Sequence, residues 1–381
     1  MGSQQTLGYG QADAPDEVQF GRARRHLGVR RPWLAGLLVA AVAAAAIGLA
    51  TSHHATPPHH KPRSTTLASA SLGRPILGIR GGWELFALGP DGLVTVAMAS
   101  GKVTRTDVPP LQSGNPAVSL VIGPHEAVIR SFDFVPGYEV TDGKAARPLT
   151  GTMTSDGPLV PGPAPGEAWE FASPGQTNVL VLVTLSGHRL GPTIKLPPGA
   201  APPSVTSDGR GNVLVLAAAT GQQYDAGPGG YRRVHGQVIA VGPNHWVVMS
   251  CSAGRDCGDS VVDLAAGTQH EVPGAALRSV ADWPPLGVVS PNGTVAAVVD
   301  SAATRPAVHL INLLSGIDTR VAVPRTRETT QESMVWSPDG RWLFVAADGK
   351  VLAVDTLTGR VTGLGISLPA ITQLAVRPAS G

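Results

Sequence analysis

The sequence predicts an all-β chain: a seven-bladed β-propeller of four-stranded antiparallel blades, six and eight blades staying open, closed by the C-terminal strand and preceded by one transmembrane helix. Three observations carry this expectation. A phrase of turn and apolar run recurs along the chain with a period of about forty residues. The first copy lacks its first strand, and the C-terminus carries a spare one. An uncharged stretch near the N-terminus is flanked on one side by arginines.

The repeat is clearest in "WSPDGRWLFVAADGKVLAVDTLTGRV", Trp336 to Val361. "SMVWSPDG" is an apolar strand ending in a Pro-Asp-Gly turn, in which Pro presets φ and Gly accepts a positive one. "RWLFVAADGK", "VLAVDTLTG" and "RVTGLG" add a second, third and fourth strand. Copies with the same parts run over 287–324, 239–274, 204–236 and 118–149, and a partial copy over 169–197. The stretch 149–165 is rich in Pro and Gly and resists phasing, which is why the blade count stays open. Four antiparallel strands per unit select a propeller over other repeat architectures. The composition agrees: 47 Gly and 34 Pro in 381 residues, with 15% charged, fit short strands joined by frequent turns.

The two ends decide closure. "WELFALGPDGLVTVAMASGKVTRTDV" (83–108) matches the last full copy only from its second strand onward. "ITQLAVRP" (371–378) follows that copy and resembles "SMVWSP". A C-terminal strand that completes the first blade hides both open sheet edges.

From Trp33 to Ala50 the chain reads "WLAGLLVAAVAAAAIGLA", without a charge. As a helix it rises about 27 Å, near the ~30 Å hydrocarbon thickness. Residues 1–32 hold five arginines, all ahead of this span, so the sequence places 1–32 in the cytoplasm as a disordered tail. The helix is then 33–50, the linker 51–71, and an extracytoplasmic domain 72–381. The location expected is the cell membrane, crossed once. A cleavable signal peptide ending at Gly48-Leu49-Ala50 is the alternative, although a 32-residue leader is long for one. His53, His54, His59 and His60 fall in a Pro/Ser/Thr-rich spacer with no Cys or carboxylate beside them, so a solvated linker is expected rather than a metal site.

Net charge is +2, but unevenly spread. Taking the seven basic and three acidic residues before position 64 from totals of 29 and 27 leaves 22 and 24 for the rest. With no basic cluster on that part, a nucleic-acid partner is not expected.

The repeat "WSPDGRWLFVAADGKVLAVDTLTG" resembles that of TolB-type and related WD-repeat-like propellers of bacteria, and "DTLTGRV" is similar to YVTN-type repeats. The match is good over about three blades and loose elsewhere. It implies the fold and leaves function open, because propellers host scaffolds, lyases, lactonases and dehydrogenases. The Trp-Asp dipeptide of eukaryotic WD repeats and the Trp motif of quinone-dependent dehydrogenases are both missing.

The chemistry expected is modest. Cys251 and Cys257, in "CSAGRDC" between the second and third strands of one blade, are expected to form a disulfide in an oxidising compartment. Its seven-residue loop makes it worth about 2 kcal/mol on the loop-entropy model. No HExxH, GxSxG, Walker-type or DxDxDG motif occurs, so no catalytic residue, metal or cofactor is expected. The turns after first strands (SPDG, SPNG, GPNH) and third strands (TLTG, LLSG, LAAG) are short. The connections on the opposite face are longer and carry Arg255, Asp256, Asp259, Arg278, Asp282, Trp283, Arg305, Arg325, Arg327, Glu328 and Glu332. Binding residues favour such loops on a rigid scaffold. The expectation is a non-catalytic binding or assembly module. Its partner is a protein or cell-envelope glycan at this face, with Arg255, Asp256, Arg278, Asp282, Trp283, Arg325, Arg327 and Glu328 as contacts. The alternative is an extracytoplasmic lyase- or lactonase-like enzyme.

Overall fold

A computed structural model describes residues 67–71, 73–90, 92–109, 118–131, 137–141, 144–149, 158–172, 178–200, 205–218, 220–251, 257–274, 287–300, 307–323, 331–347, 349–367 and 370–378. The predicted tail (1–32), helix (33–50) and most of the linker lie outside them. Among the described residues no helix is long and apolar enough to cross a membrane.

The described chain is all-β, built from repeated antiparallel meanders. The first contains β1 (Leu67–Ser71), β2 (Glu84–Gly89), β3 (Gly92–Ala97) and β4 (Lys102–Asp107). The second is β5 (Val118–Ile122), β6 (Glu126–Ser131), β7 (Tyr138–Thr141) and β8 (Arg147–Pro148). The third is β9 (Leu159–Pro161), β10 (Glu167–Ala172), β11 (Val179–Thr184) and β12 (Ile194–Lys195). The fourth is β13 (Val205–Ser207), β14 (Val213–Ala217), β15 (Gln222–Gly227) and β16 (Gly230–Arg233). The fifth is β17 (Gln237–Val241), β18 (His245–Cys251), β19 (Cys257–Asp263) and β20 (Gln269–Glu271). The sixth is β21 (Gly287–Val289), β22 (Val295–Asp300), β23 (Ala307–Asn312) and β24 (Asp318–Ala322). The last is β25 (Met334–Trp336), β26 (Trp342–Ala347), β27 (Lys350–Asp355) and β28 (Val361–Ser367), after which β29 (Gln373–Arg377) returns to β2. Such repeated four-stranded sheets are the units of a β-propeller.

Two details differ from the sequence reading. Leu67–Ser71, placed in the linker for want of apolar periodicity, pair antiparallel with β4, Ser71 opposite Lys102 and Leu67 opposite Arg105. The first sheet therefore has five strands, in the order β1-β4-β3-β2-β29. The fifth and sixth meanders also merge into one eight-stranded sheet, because β17 and β21 pair in parallel through Ala240–Gly287 and Val241–Val288.

Second strands read as continuous apolar runs because both of their faces are covered. All six residues of β26 are buried, whereas only Val321 of β24, an outermost strand, is. The core lies between successive meanders. Phe86, Leu88 and Leu93 pack on Leu120 and Ile129 between the first and second. Trp83 meets Phe344 edge-on, with ring centroids 5.7 Å apart, between the first and last. Burying a ring such as Phe344 is worth about 1.5–3 kcal/mol.

The repeated polar residues close turns and join sheets. Ser337 donates its amide to the Trp342 carbonyl, and its hydroxyl accepts the Trp342 amide at 2.9 Å. Ser290 does the same with Val295. After third strands, Asp263, Asn312 and Asp355 each accept loop amides on a side-chain oxygen. The two amides hold the partly exposed Asp263 carboxyl below the usual range. Three indoles reach across to the preceding meander or the following turn: Trp169 Nε1 to the Gly211 carbonyl, Trp246 Nε1 to that of Asp208 and Trp336 Nε1 to that of Val288. Cys251 and Cys257 face one another across β18 and β19 and are disulfide-bonded, as the sequence predicts.

The return of β29 is fastened by more than its ladder. Five residues, Gln373 to Arg377, pair with Leu88 to Glu84. The buried Arg377 grips the Glu84 carboxylate through Nε at 2.8 Å and through Nη2, and its guanidinium lies 5.0 Å over the Phe86 ring. Removing residues 371–381 is expected to destabilise the whole domain by at least about 3 kcal/mol, since it unpairs Glu84 and bares β2. An unchanged thermal unfolding midpoint would show that this strand does not hold the first sheet.

Candidate functional site

First strands start, and second and fourth strands end, on the face that carries the long connections. At three of those starting points the chain forms a polar junction. Gln373 opens β29, Val118 opens β5, and Glu332 stands in the 3-10 turn Gln331–Ser333 just before β25. The Gln373 side-chain amide donates to Glu332 Oε2 at 2.7 Å and to the Val118 carbonyl. One side chain thereby joins three meanders.

The surroundings of Glu332 act on its charge. Protein packed around the carboxyl raises it above the usual carboxylate range, while the Gln373 amide favours the charged form and opposes the rise. The residue still keeps an open side to solvent, which limits the rise. A carboxyl in this setting holds its proton to higher pH than a free one.

Of the residues that the sequence assigned to this rim, Arg255, Asp256, Arg278, Asp282, Trp283, Arg305, Arg325, Arg327 and Glu328 lie outside the described residues. Glu332 lies in the 3-10 turn Gln331–Ser333. Asp259 is not a rim residue. It belongs to β19, opposite Met249, and is only 3% exposed. The strand already starts at the disulfide-bonded Cys257, so Asp259 falls inside the sheet.

Other charges near this part of the fold are paired internally. Arg130 Nη1 of β6 meets Glu170 Oε1 of β10 at 3.0 Å, both buried, and links the second and third meanders. Ser119 Oγ accepts the Leu159 amide across the same seam. Among the described residues no group of three or more His, Cys, Asp or Glu side chains is placed to hold a metal ion. The sequence reading missed Gln373 and the Val118 carbonyl, because nothing local to either marks a contact spanning 255 positions.

No protein-family model matches the chain, and no curated protein does. Solved structures with similar folds exist. A functionally unknown protein from Desulfotomaculum acetoxidans is 12% identical, with a TM-score of 0.47, over 77% of this chain and 98% of that one. A putative 6-phosphogluconolactonase from Bacteroides uniformis is 11% identical, with a TM-score of 0.49, over 78% and 100%. TolB from Acinetobacter baumannii is 13% identical, with a TM-score of 0.39, over 78% of this chain and 65% of that one. At such values the likenesses assign no activity to this chain.

Replacing Gln373 by Ala is expected to cost about 1–2 kcal/mol, because the Val118 carbonyl and Glu332 both lose their donor. Glu332→Gln is expected to leave the thermal midpoint at neutral pH unchanged or higher. The wild-type acid is raised, so its contribution is present at low pH and fades as pH climbs through the raised value. Thermal unfolding of both variants across pH reads this directly, and a Glu332→Gln midpoint well below wild type at neutral pH would contradict it.

Proposed function

We propose that the chain is a single-pass membrane protein whose propeller, closed with seven blades, stands outside the cell and works as a non-catalytic binding or assembly module. The partner is a protein or a cell-envelope glycan, and it docks on the face of the long connections. One observation carries the reading: the asymmetry of the two faces. Turns after first and third strands are short and closed by their own Ser, Asp and Asn side chains. The other face carries the long connections and presents Glu332, held by the buried Gln373, beside its strand starts. A fixed scaffold with one variable face is the common layout of a binding module.

A second reading, a lyase- or lactonase-like enzyme, is favoured by the raised Glu332 carboxyl, which is suited to general-acid work. Its hydrogen-bond partner is an amide rather than a base. Among the described residues no second acid or base is bonded to it, which such chemistry would use.

Two measurements test the proposal. Full-length protein solubilised from membranes is expected to capture a partner that Trp283→Ala combined with Arg327→Ala fails to retain. Equal capture by both would remove this rim as the docking face. For orientation, a Lys350→Cys variant is expected to react with a membrane-impermeant maleimide in intact cells, since residue 350 is exposed. Labelling only after lysis would place the propeller inside.

A further inference from the structure

The outer edges of the third and fourth meanders expose charge of one sign. Between Glu170 and Arg255 the chain carries two acids, Asp208 and Asp225, against five cations, Arg189, Lys195, Arg210, Arg232 and Arg233. All five cations are exposed, whereas the two acids are 0% and 4% exposed. Taking these seven residues from the 22 bases and 24 acids of 64–381 leaves 17 bases against 22 acids elsewhere. A positive edge therefore stands on a domain that is otherwise acidic. The cations are spaced too widely in the sequence to form a cluster, and the fold gathers them.

Lys195 belongs to β12, and Arg232 and Arg233 to β16. Each of these is the last strand of its sheet, and the two strands lie against each other. Arg189 follows the tight turn after β11, and Arg210 stands in the tight turn after β13, so both join this edge from the short-turn face.

Two of the guanidiniums are held without being covered. Arg232 donates to Asp225 Oδ2 from Nε at 3.0 Å and from Nη2 at 2.9 Å, yet its side chain stays 65% exposed. Arg189 donates from Nε to the Gly191 carbonyl at 2.7 Å and from Nη2 to the Thr193 hydroxyl, along the segment that enters β12. Groups fixed beforehand lose little rotamer freedom on binding. Next to Arg232, Tyr231 is 47% exposed and meets Tyr224 edge-on, with ring centroids 5.5 Å apart. Tyr224 packs on the core between the third and fourth meanders, so the outer ring is a braced apolar surface among the cations.

We propose that this edge binds a linear acidic polysaccharide, with its carboxylates on the Arg and Lys heads and one sugar ring against Tyr231. The cations follow two strand edges and two turns and do not converge on a point, which suits an extended polyanion over a small anion. The guanidinium fork matches a carboxylate in two parallel bonds. A single aromatic platform favours a sugar chain over single-stranded nucleic acid, whose successive bases stack on several. The site lies apart from the long connections and does not rest on the docking proposed there.

The test is binding of the full-length, detergent-solubilised protein to immobilised hyaluronan. Dextran serves as an uncharged polysaccharide and oligothymidylate as a polyanion without sugar carboxylates. Hyaluronan is expected to retain the protein and dextran to let it pass, with oligothymidylate weaker than hyaluronan by about tenfold or more. Raising salt from about 0.05 M to about 0.5 M is expected to release the protein. Lys195→Gln combined with Arg233→Gln spares the Arg232–Asp225 pair, so it should weaken hyaluronan binding by about tenfold or more while leaving the thermal midpoint unchanged. Tyr231→Ala should weaken it about fivefold and leave oligothymidylate binding as it was. Trp283→Ala combined with Arg327→Ala should bind hyaluronan as wild type does. No retention on hyaluronan, equal retention on dextran or oligothymidylate, or full retention of the Lys195 and Arg233 double variant overturns the proposal. So does loss of binding in the Trp283 and Arg327 double variant alone, which would move the polysaccharide to the long connections.

Discussion

Everything in this fold depends on a ladder between the two ends of the described chain. The first sheet has no first strand of its own and takes β29, hydrogen-bonded residue for residue from Gln373 to Arg377. Arg377 then ties that strand to Glu84 within the sheet and touches the Gly123 carbonyl of the second meander. Trp83, against Phe344, is in place only when the first and last meanders are adjacent. The Arg377–Glu84 contact, between residues 293 positions apart in sequence, forms only after a large loop is closed, which slows folding relative to a chain of local contacts.

Between the meanders the same economy repeats. Apolar runs on second strands fill both seams, and the polar atoms that reach a seam arrive with partners. The Trp169, Trp246 and Trp336 indoles each spend their single donor on a backbone carbonyl of another turn or strand. Arg130 and Glu170 neutralise one another where neither meets water. The tight-turn face is fixed by short-range hydrogen bonds, so variation falls to the other face.

Much of the architecture was legible because each turn needs particular residues. Gly340 and Gly293 adopt φ near +70°, which favours glycine, and Asp355 and Asn312 recur because a side-chain acceptor closes each hairpin. β9 was illegible: three residues, two of them buried, between Pro and Gly give no period to read. β1 was illegible for a different reason, since "LASAS" has no alternation and its partner lies more than thirty positions away. Asp259, read as a loop residue, lies inside β19 opposite Met249, which only a strand register shows. The Gln373 junction needed three meanders at once, and no local pattern encodes that.

β1 has a mechanical side. It is the outermost strand of the first sheet, held to β4 through the register Leu67–Arg105, Ala70–Val103 and Ser71–Lys102 with an irregularity between the first two. Any tension carried along the N-terminal segment enters the sheets through this strand. A short edge ladder yields before the interior ones, whose residues are buried on both faces. The strand is thus a fuse: under load it peels from β4 first and leaves the remaining ladders of the first sheet intact.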